Sequence, residues 1–479
     1  MEKKVVLVAG KVVLVAGLVS AAIAGVIAQT EVTTFAATAA TPLPPGTGAK
    51  DPGVRYGPAG AGSPIAGLSR GELALFNAGR DDFAEVEKVP DGLGPTMNLD
   101  SCAGCHMQPS IGGSSPAVNP QFAFANAYGA LNTIPAFIQS NGPVREARFV
   151  RNPDGTRDGG VHDLFTIRGR HDAPGCLMAQ PDFAAEAGRG NVIFRIPTPV
   201  FGSGLIENIP DENILANRNA NAEQKSALGV RGRPNIILAG NTVSGQPNNN
   251  GNDGTIARFG WKAQNKSLLL FAGEAYNVEM GITNELFQTE RAEYASCQYA
   301  TTPNDVTNAD AATLVDAISG IDKFALFMRF LAPPAPSADK PGGADSIAAG
   351  RNLFTRVGCS LCHTPALKTG NSSVEALRNQ WVNLYSDLLV HDMGPKLADG
   401  ISQGQAGPSE FRTAPLWGLG QRIFFLHDGR TSDLEVAIAA HQSGSARNRD
   451  ASEANAVIDA FNTLPETSKQ NLLNFLRSL

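Results

Sequence analysis

Cys102-Ala-Gly-Cys105-His106 and Cys359-Ser-Leu-Cys362-His363 are the two stretches that decide how this chain of 479 residues is read. Each is C-x-x-C-H, the attachment sequence for c-type haem. The reason is geometric: two thiols three positions apart reach the two vinyl groups of one porphyrin, and the adjacent imidazole falls beneath the iron. A single copy could be coincidence or a redox dithiol, whereas two copies point to two covalently bound haem c groups with His106 and His363 as axial ligands. The chain has only two other cysteines, Cys176 and Cys297. In an oxidising compartment a structural disulfide is the default for such a pair, with buried free thiols as the alternative.

The compartment is read from the N-terminus, MEKKVVLVAGKVVLVAGLVSAAIAGVIAQT, where Lys3, Lys4 and Lys11 precede an apolar run from Val12 to Ala28 that only Ser20 interrupts. This is the layout of a secretory signal over 1–28, with an uncleaved membrane anchor as the alternative. Either way the rest of the chain is expected outside the cytoplasm, in the periplasm, touching a membrane only through that segment. Residues 29–66, rich in Thr, Ala, Pro and Gly, read as a flexible tether with little to bury. A second proline- and glycine-rich break, APPAPSADKPGGADS at 332–346, supplies a linker over 332–344. The expected division is therefore an N-terminal haem region at 67–331 and a C-terminal one at 345–479.

Composition sets the class. Hydrophobic residues make up 42%, enough for a sizeable core, and 51 Gly with 31 Pro imply many loops and turns. Acidic residues outnumber basic ones 45 to 39 for a net charge of -6, so a nucleic-acid partner is not expected. A helix capped by Ser346 is expected through IAAGRNLFTRVG, and Leu472, Leu473, Leu476 and Leu479 form the stripe of a C-terminal helix. Strand signals are local, at HDLFTIRG (162–169) and NVIFRIPTPVF (191–201). The polar stretch 240–254 reads as a surface loop, Asp211 and Glu212 as a helix start, and Met107 and Met178 as core fillers.

A C-x-x-C-H haem has one axial histidine, so its chemistry depends on the opposite face. Outside the motifs the chain has His162, His171, His391, His427 and His441. In PLWGLGQRIFFLHDGRTSDLEVAIAAHQ (415–442) an HDG turn is followed by a helix start at Ser432 or Asp433 and by His441 at the helix end. This segment, VHDMGPKLADG (390–400), FRTAPLWGLG (411–420) and the two haem motifs resemble the di-haem oxidoreductase family, often labelled thiol oxidoreductase. VPDGLGPTMNLDSCAGCHMQPSIGGSSP (89–116), RNPDGTRDGGVHDLFTIRGRHDAPGC (151–176), IPTPVFGSGLIENIPDENIL (196–215) and FGWKAQNKSLLLFAGEAYNVEMGITNELF (259–287) extend the resemblance over about 70–479. That family is related to the bacterial di-haem cytochrome c peroxidases.

The resemblance implies a mainly α fold with many loops and a few short strands, built as two cytochrome-c-like haem domains, the first with long insertions. NVEMG (277–281) is similar to the segment that carries the distal glutamate of the peroxidases. Glu279 is thus the candidate acid–base group over the first haem, against a helix-cap or surface carboxylate. Moving a proton between the two oxygens of a peroxide is work suited to one carboxylate. His441 is the candidate sixth ligand of the second haem, with Met393 as its rival, and His427 is expected to orient the HDG loop. Trp261 stands near the position of an electron-bridging tryptophan, against ordinary core packing. His162 or His171 as a displaceable ligand of the first haem, or no ligand there, both remain open. The implied activity is reduction of hydrogen peroxide with electrons from a small redox protein. The alternatives are a di-haem electron carrier without turnover and peroxide-dependent oxidation of an organic or protein substrate. The related peroxidases also suggest a calcium ion between the domains.

Overall fold

The computed structural model describes residues 48–479 except 57–58, 98, 130–133, 153, 157–168, 237–241, 244–245, 248–254, 293 and 445–450. The expected signal over 1–28, His162, nearly all of HDLFTIRG and most of 240–254 lie outside the described residues. What is described belongs to one unit, Leu43–Leu479.

Two helix pairs carry the fold. Arg70–Phe83 packs on Gly320–Phe330, and Gly343–Arg356 packs on Glu466–Arg477. The first helix opens in a reciprocal cap: the Glu72 N–H donates to Ser69 Oγ at 3.3 Å, and the Ser69 N–H donates to the Glu72 carboxylate at 2.7 Å. Both pairs cross at a glycine. A Cβ on Gly79 would lie 2.2 Å from the Lys323 carbonyl oxygen, and one on Gly350 would lie 2.0 Å from that of Asn471. Only a residue without a side chain lets the two backbones approach this closely.

Apolar stripes on these helices build two cores. The first gathers Phe76, Phe83, Leu268, Tyr276, Phe324 and Phe327, and the second Phe354, Phe425, Phe461, Leu472, Leu473 and Phe475. Leu377, Leu384 and Leu388 join the first core although they follow the second C-x-x-C-H, so the chain returns to the first region after its second motif. The Leu268–Met280 helix is apolar nearly all round and packs on Gly320–Phe330, which puts Leu268, Ala272, Tyr276 and Met280 into the first core. Strands are short and paired in twos, such as Glu146–Phe149 with Val192–Arg195 and Val390–Asp392 with Glu410–Arg412. The fold is mostly helical with many loops. Among the described residues no helix is long and apolar enough to cross a membrane.

Cys176 and Cys297 form a disulfide, buried with Val89, Ala173, Met178 and Ala292. Asp211–Asn219 is a helix with Asp211 and Glu212 in its first turn. Three local expectations are corrected. Ser346 does not cap its helix, which starts one turn earlier after Gly342; its hydroxyl instead donates to Asn471 Oδ1 at 2.6 Å and accepts from Asn474 Nδ2 at 2.9 Å. Met107 is 48% exposed and does not fill the core. The segment from residue 48 is docked rather than free. Asp51 pairs with the buried Arg477 at 2.6 Å and accepts from the Leu434 N–H at 2.8 Å, while the Arg55 N–H donates to the Gly420 carbonyl at 2.8 Å.

Candidate active site: two cavities and a shared tryptophan

Each C-x-x-C-H adopts one tight turn. The His106 N–H donates to the Cys102 carbonyl at 3.0 Å, and the His363 N–H to the Cys359 carbonyl at 2.9 Å. This puts both sulfurs and the ring of each motif on the wall of one cavity. His106 Nδ1 lies 3.0 Å from the Gly113 carbonyl and His363 Nδ1 lies 3.0 Å from the Tyr385 carbonyl. A ring whose Nδ1 carries the proton to a carbonyl has its lone pair at Nε2. Burial pushes both rings down to about 4, so they are neutral, as metal ligation requires. Burial also pushes Cys359 up to about 12 and Cys102 further. Neither Cys102 nor Cys359 has the lowered pKa of a reactive thiolate.

The first cavity holds Cys102, Cys105, His106, Glu274, Glu279 and Trp261. Phe271, Ala275 and Glu279, four residues apart on Leu268–Met280, run down the face of that helix that lines the cavity, with Glu274 and Val278 beside them. The Glu279 carboxylate is open to the cavity and otherwise enclosed by protein. Burial, with help from Glu146 and Glu274 and against Arg148, pushes it up to about 8. Arg195 reaches the same cavity while it binds Asp399 at 2.6 Å and Gln403 at 2.8 Å, and its Nε has no partner. His171 is not part of this wall: it stacks on Tyr128 and lines a separate surface groove. Of the two histidines left open for the first haem, His171 thus stands in that groove, and His162 lies outside the described residues.

The second cavity holds Cys359, Cys362, His363, His441 and Met393 within apolar walls. Asp433 caps the helix Leu434–Ala440, accepting from the Glu435 and Val436 N–H groups at 2.8 and 3.2 Å, and His441 stands at its C-terminus. His441 Nδ1 lies 2.8 Å from the Ala437 carbonyl, the arrangement of the two motif histidines, and burial lowers its pKa. His427 stacks on Phe411 at 4.3 Å and meets Trp261 edge-on at 6.4 Å. Trp261 lines both cavities; its indole N–H donates to the Ile196 carbonyl at 2.9 Å. The next residue, Lys262, is fully buried and anchors this turn through Asp399 at 3.0 Å and the carbonyls of Gly407 and Glu410 at 2.9 and 3.0 Å.

A search of curated proteins finds no match. A family model described as "Di-haem oxidoreductase, putative peroxidase" matches residues 151–479. The chain belongs to the di-haem oxidoreductase family. Among solved structures this family member is similar to hydrazine synthase of Kuenenia stuttgartiensis, at 15% identity over 35% of this chain and 56% of that one, with a TM-score of 0.21. It is also similar to the diheme peroxidase BthA of Burkholderia thailandensis, at 13% identity over 46% and 65%, TM-score 0.27. A MauG-like protein associated with microbial copper homeostasis is a third, at 16% identity over 57% and 89%, TM-score 0.26. The chain thus spans less than two thirds of the first two structures, and likenesses this distant carry no argument about activity.

A di-haem family implies two haem groups, and the side chains fit them. Arg412 and Arg422 are half-buried on the second cavity wall, and the lost solvation pushes both down to about 10. Arg412 donates to the Gly260 carbonyl at 3.0 Å and Arg422 to that of Phe424 at 3.0 Å, while Arg422 Nη2 has no partner. Cavity-wall cations answered by carbonyls and, for Arg422, by the Trp261 ring at 5.8 Å, with no carboxylate, suit an anion, and the propionates of a haem are such anions. Sequence reasoning missed these two arginines, since nothing in FRTAPLWGLGQR distinguishes a buried guanidinium from an exposed one. For calcium, no group of three or more His, Cys, Asp or Glu side chains among the described residues could hold a metal ion.

Proposed function

We propose that this di-haem oxidoreductase is an exported c-type enzyme that reduces hydrogen peroxide to water with electrons from a small redox protein. The observation that carries the reading is the Glu279 carboxylate on the wall of the cavity that also holds His106. Cys102 and Cys105 would hold one haem and Cys359 and Cys362 the other through thioether bonds, with His106 and His363 on the irons. A bound haem supplies one-electron steps and, where a coordination position is open, a place for peroxide to bind.

The proton work falls to Glu279. Its carboxylate takes the proton from the inner peroxide oxygen and delivers it to the outer one, which leaves as water. Two electrons and two protons complete the second water. In the second cavity His441, with Nδ1 tied to Ala437, would close the remaining coordination position, which restricts that side to passing electrons. Trp261 would carry them between the cavities. Export is supported by the signal-like N-terminus and by the Cys176–Cys297 disulfide. The test is peroxide consumption by the reduced holo-protein. Glu279→Gln should lower the rate by about 10² to 10⁴ with haem spectra unchanged. A variant as fast as the parent, or no consumption by the parent, overturns the reading.

A further inference from the structure

Beside the first C-x-x-C-H lies an open surface groove that the peroxide reaction does not use, walled by Leu99, Asp100, Gly104, Phe124, Tyr128 and His171. Four contacts converge on Tyr128 there. Its hydroxyl lies beside the Asp100 carboxylate, which lines the same groove. Its ring stacks on His171 at 5.6 Å and 15°, meets Phe124 at 4.8 Å, and carries the Arg170 guanidinium 4.1 Å from its centroid. Arg170 is buried, paired with Asp172 at 2.8 and 2.6 Å, and its Nη1 has no partner. Tyr128 also packs with Leu99, Phe124 and Cys105 in one apolar cluster. A continuous run of packed side chains therefore leads from a haem-attaching cysteine to a half-exposed phenol.

A tyrosine can give up an electron at modest cost only when its proton has somewhere to go. Asp100 is placed to take it, and burial makes that carboxylate a stronger base than usual. His171 Nδ1 lies 3.0 Å from the Tyr128 carbonyl, which fixes the imidazole parallel to the phenol ring and presents aromatic surface on the groove wall. A flat aromatic molecule with a hydroxyl group matches that wall by stacking and by hydrogen bonding.

We propose that Tyr128 is a surface redox relay through which small phenols in this groove reduce the first haem site; the proposal rests on the peroxide-reducing reading above. In each one-electron step Tyr128 passes an electron inward past Cys105 and its phenolic proton to Asp100. The resulting tyrosyl radical takes a hydrogen atom, one electron and one proton, from the docked phenol. Asp100 releases its proton to water. Two such steps balance as one hydrogen peroxide and two phenols giving two waters and two phenoxyl radicals.

The experiment mixes holo-protein with hydrogen peroxide in the absence of reductant and freezes it for electron paramagnetic resonance, with guaiacol oxidation measured in parallel. The parent should show a narrow organic radical whose hyperfine structure collapses when tyrosine is ring-deuterated. Tyr128→Phe should abolish the radical, and guaiacol oxidation should fall about 10²-fold, the worth of a positioned proton transfer, with unchanged haem spectra as the fold control. His171→Ala should keep the radical and raise the KM for guaiacol. A radical or a guaiacol rate that survives Tyr128→Phe overturns the relay. Ferrocyanide is the control donor: a parent that consumes no peroxide with it overturns the underlying peroxidase reading as well.

Discussion

In the proposed reaction the proton transfer falls to one residue, Glu279. Its carboxyl stays protonated until about pH 8 because burial, Glu146 and Glu274 all disfavour its charge. A group that must first accept a proton works only when ionised, so the rate of peroxide cleavage should rise with pH through about 8 and then level off. Rapid-mixing rates across pH check this, and Glu279→Gln should give a flat, low profile. The C-x-x-C-H motifs and the cysteine pair were legible in sequence from local spacing and count, and long motifs singled out Glu279 and His441, which stand on the walls of the first and second cavities. Arg412, Arg422 and Tyr128 were not, since their meaning lies in what surrounds them. An arginine becomes informative when it lines a cavity without a carboxylate, and a tyrosine when a carboxylate 28 positions earlier stands beside its hydroxyl.

At the scale of elements, the two glycine crossings organise the cavities. Gly79 and Gly350 let one helix of each pair touch the backbone of the other, and a C-x-x-C-H follows each glycine-bearing helix. Substitution of either glycine by alanine should force the helices apart at a destabilisation of about 1 to 3 kcal/mol, the usual range for overpacking. Denaturant midpoints measure it, and Gly350→Ala should also disturb the second cavity, because Phe354 is one turn away and on its wall. The apolar stripes of these helices were readable from periodicity, including Leu472, Leu473 and Leu476. The role of Ser346 was not: a serine ahead of an apolar run resembles a cap, and only the crossing helix reveals that its hydroxyl bridges Asn471 and Asn474.

On the scale of the whole molecule, residues far apart in sequence close the structure. Asp51 and Arg477 form a buried pair 426 positions apart, with Arg477 also donating to the carbonyls of Leu419 and Arg422 at 3.2 and 2.9 Å. Asp51→Ala should cost about 3 to 5 kcal/mol, because it leaves the guanidinium buried without its carboxylate. Burial alone would raise the Asp51 pKa, but the hydrogen bonds and charge of Arg477 outweigh it and hold the carboxyl below its ordinary 3.8. The pair's contribution is therefore complete above the unfolded value and is lost as pH falls through the folded one. Acid unfolding of the parent and of Asp51→Ala should converge at low pH. No local pattern in 29–66 announces this docking, since a proline- and glycine-rich stretch looks the same docked or free.

We propose that the two cavities differ in function: the one with His106 and Glu279 reacts with peroxide, while the one with His363 and His441 passes electrons. Electron paramagnetic resonance of the holo-protein, oxidised and half-reduced, before and after one equivalent of hydrogen peroxide, tests it most directly. One haem signal should be converted by peroxide, more slowly in Glu279→Gln, and one low-spin signal should become high-spin only in His441→Ala. Two low-spin haems indifferent to peroxide in both redox states would contradict it.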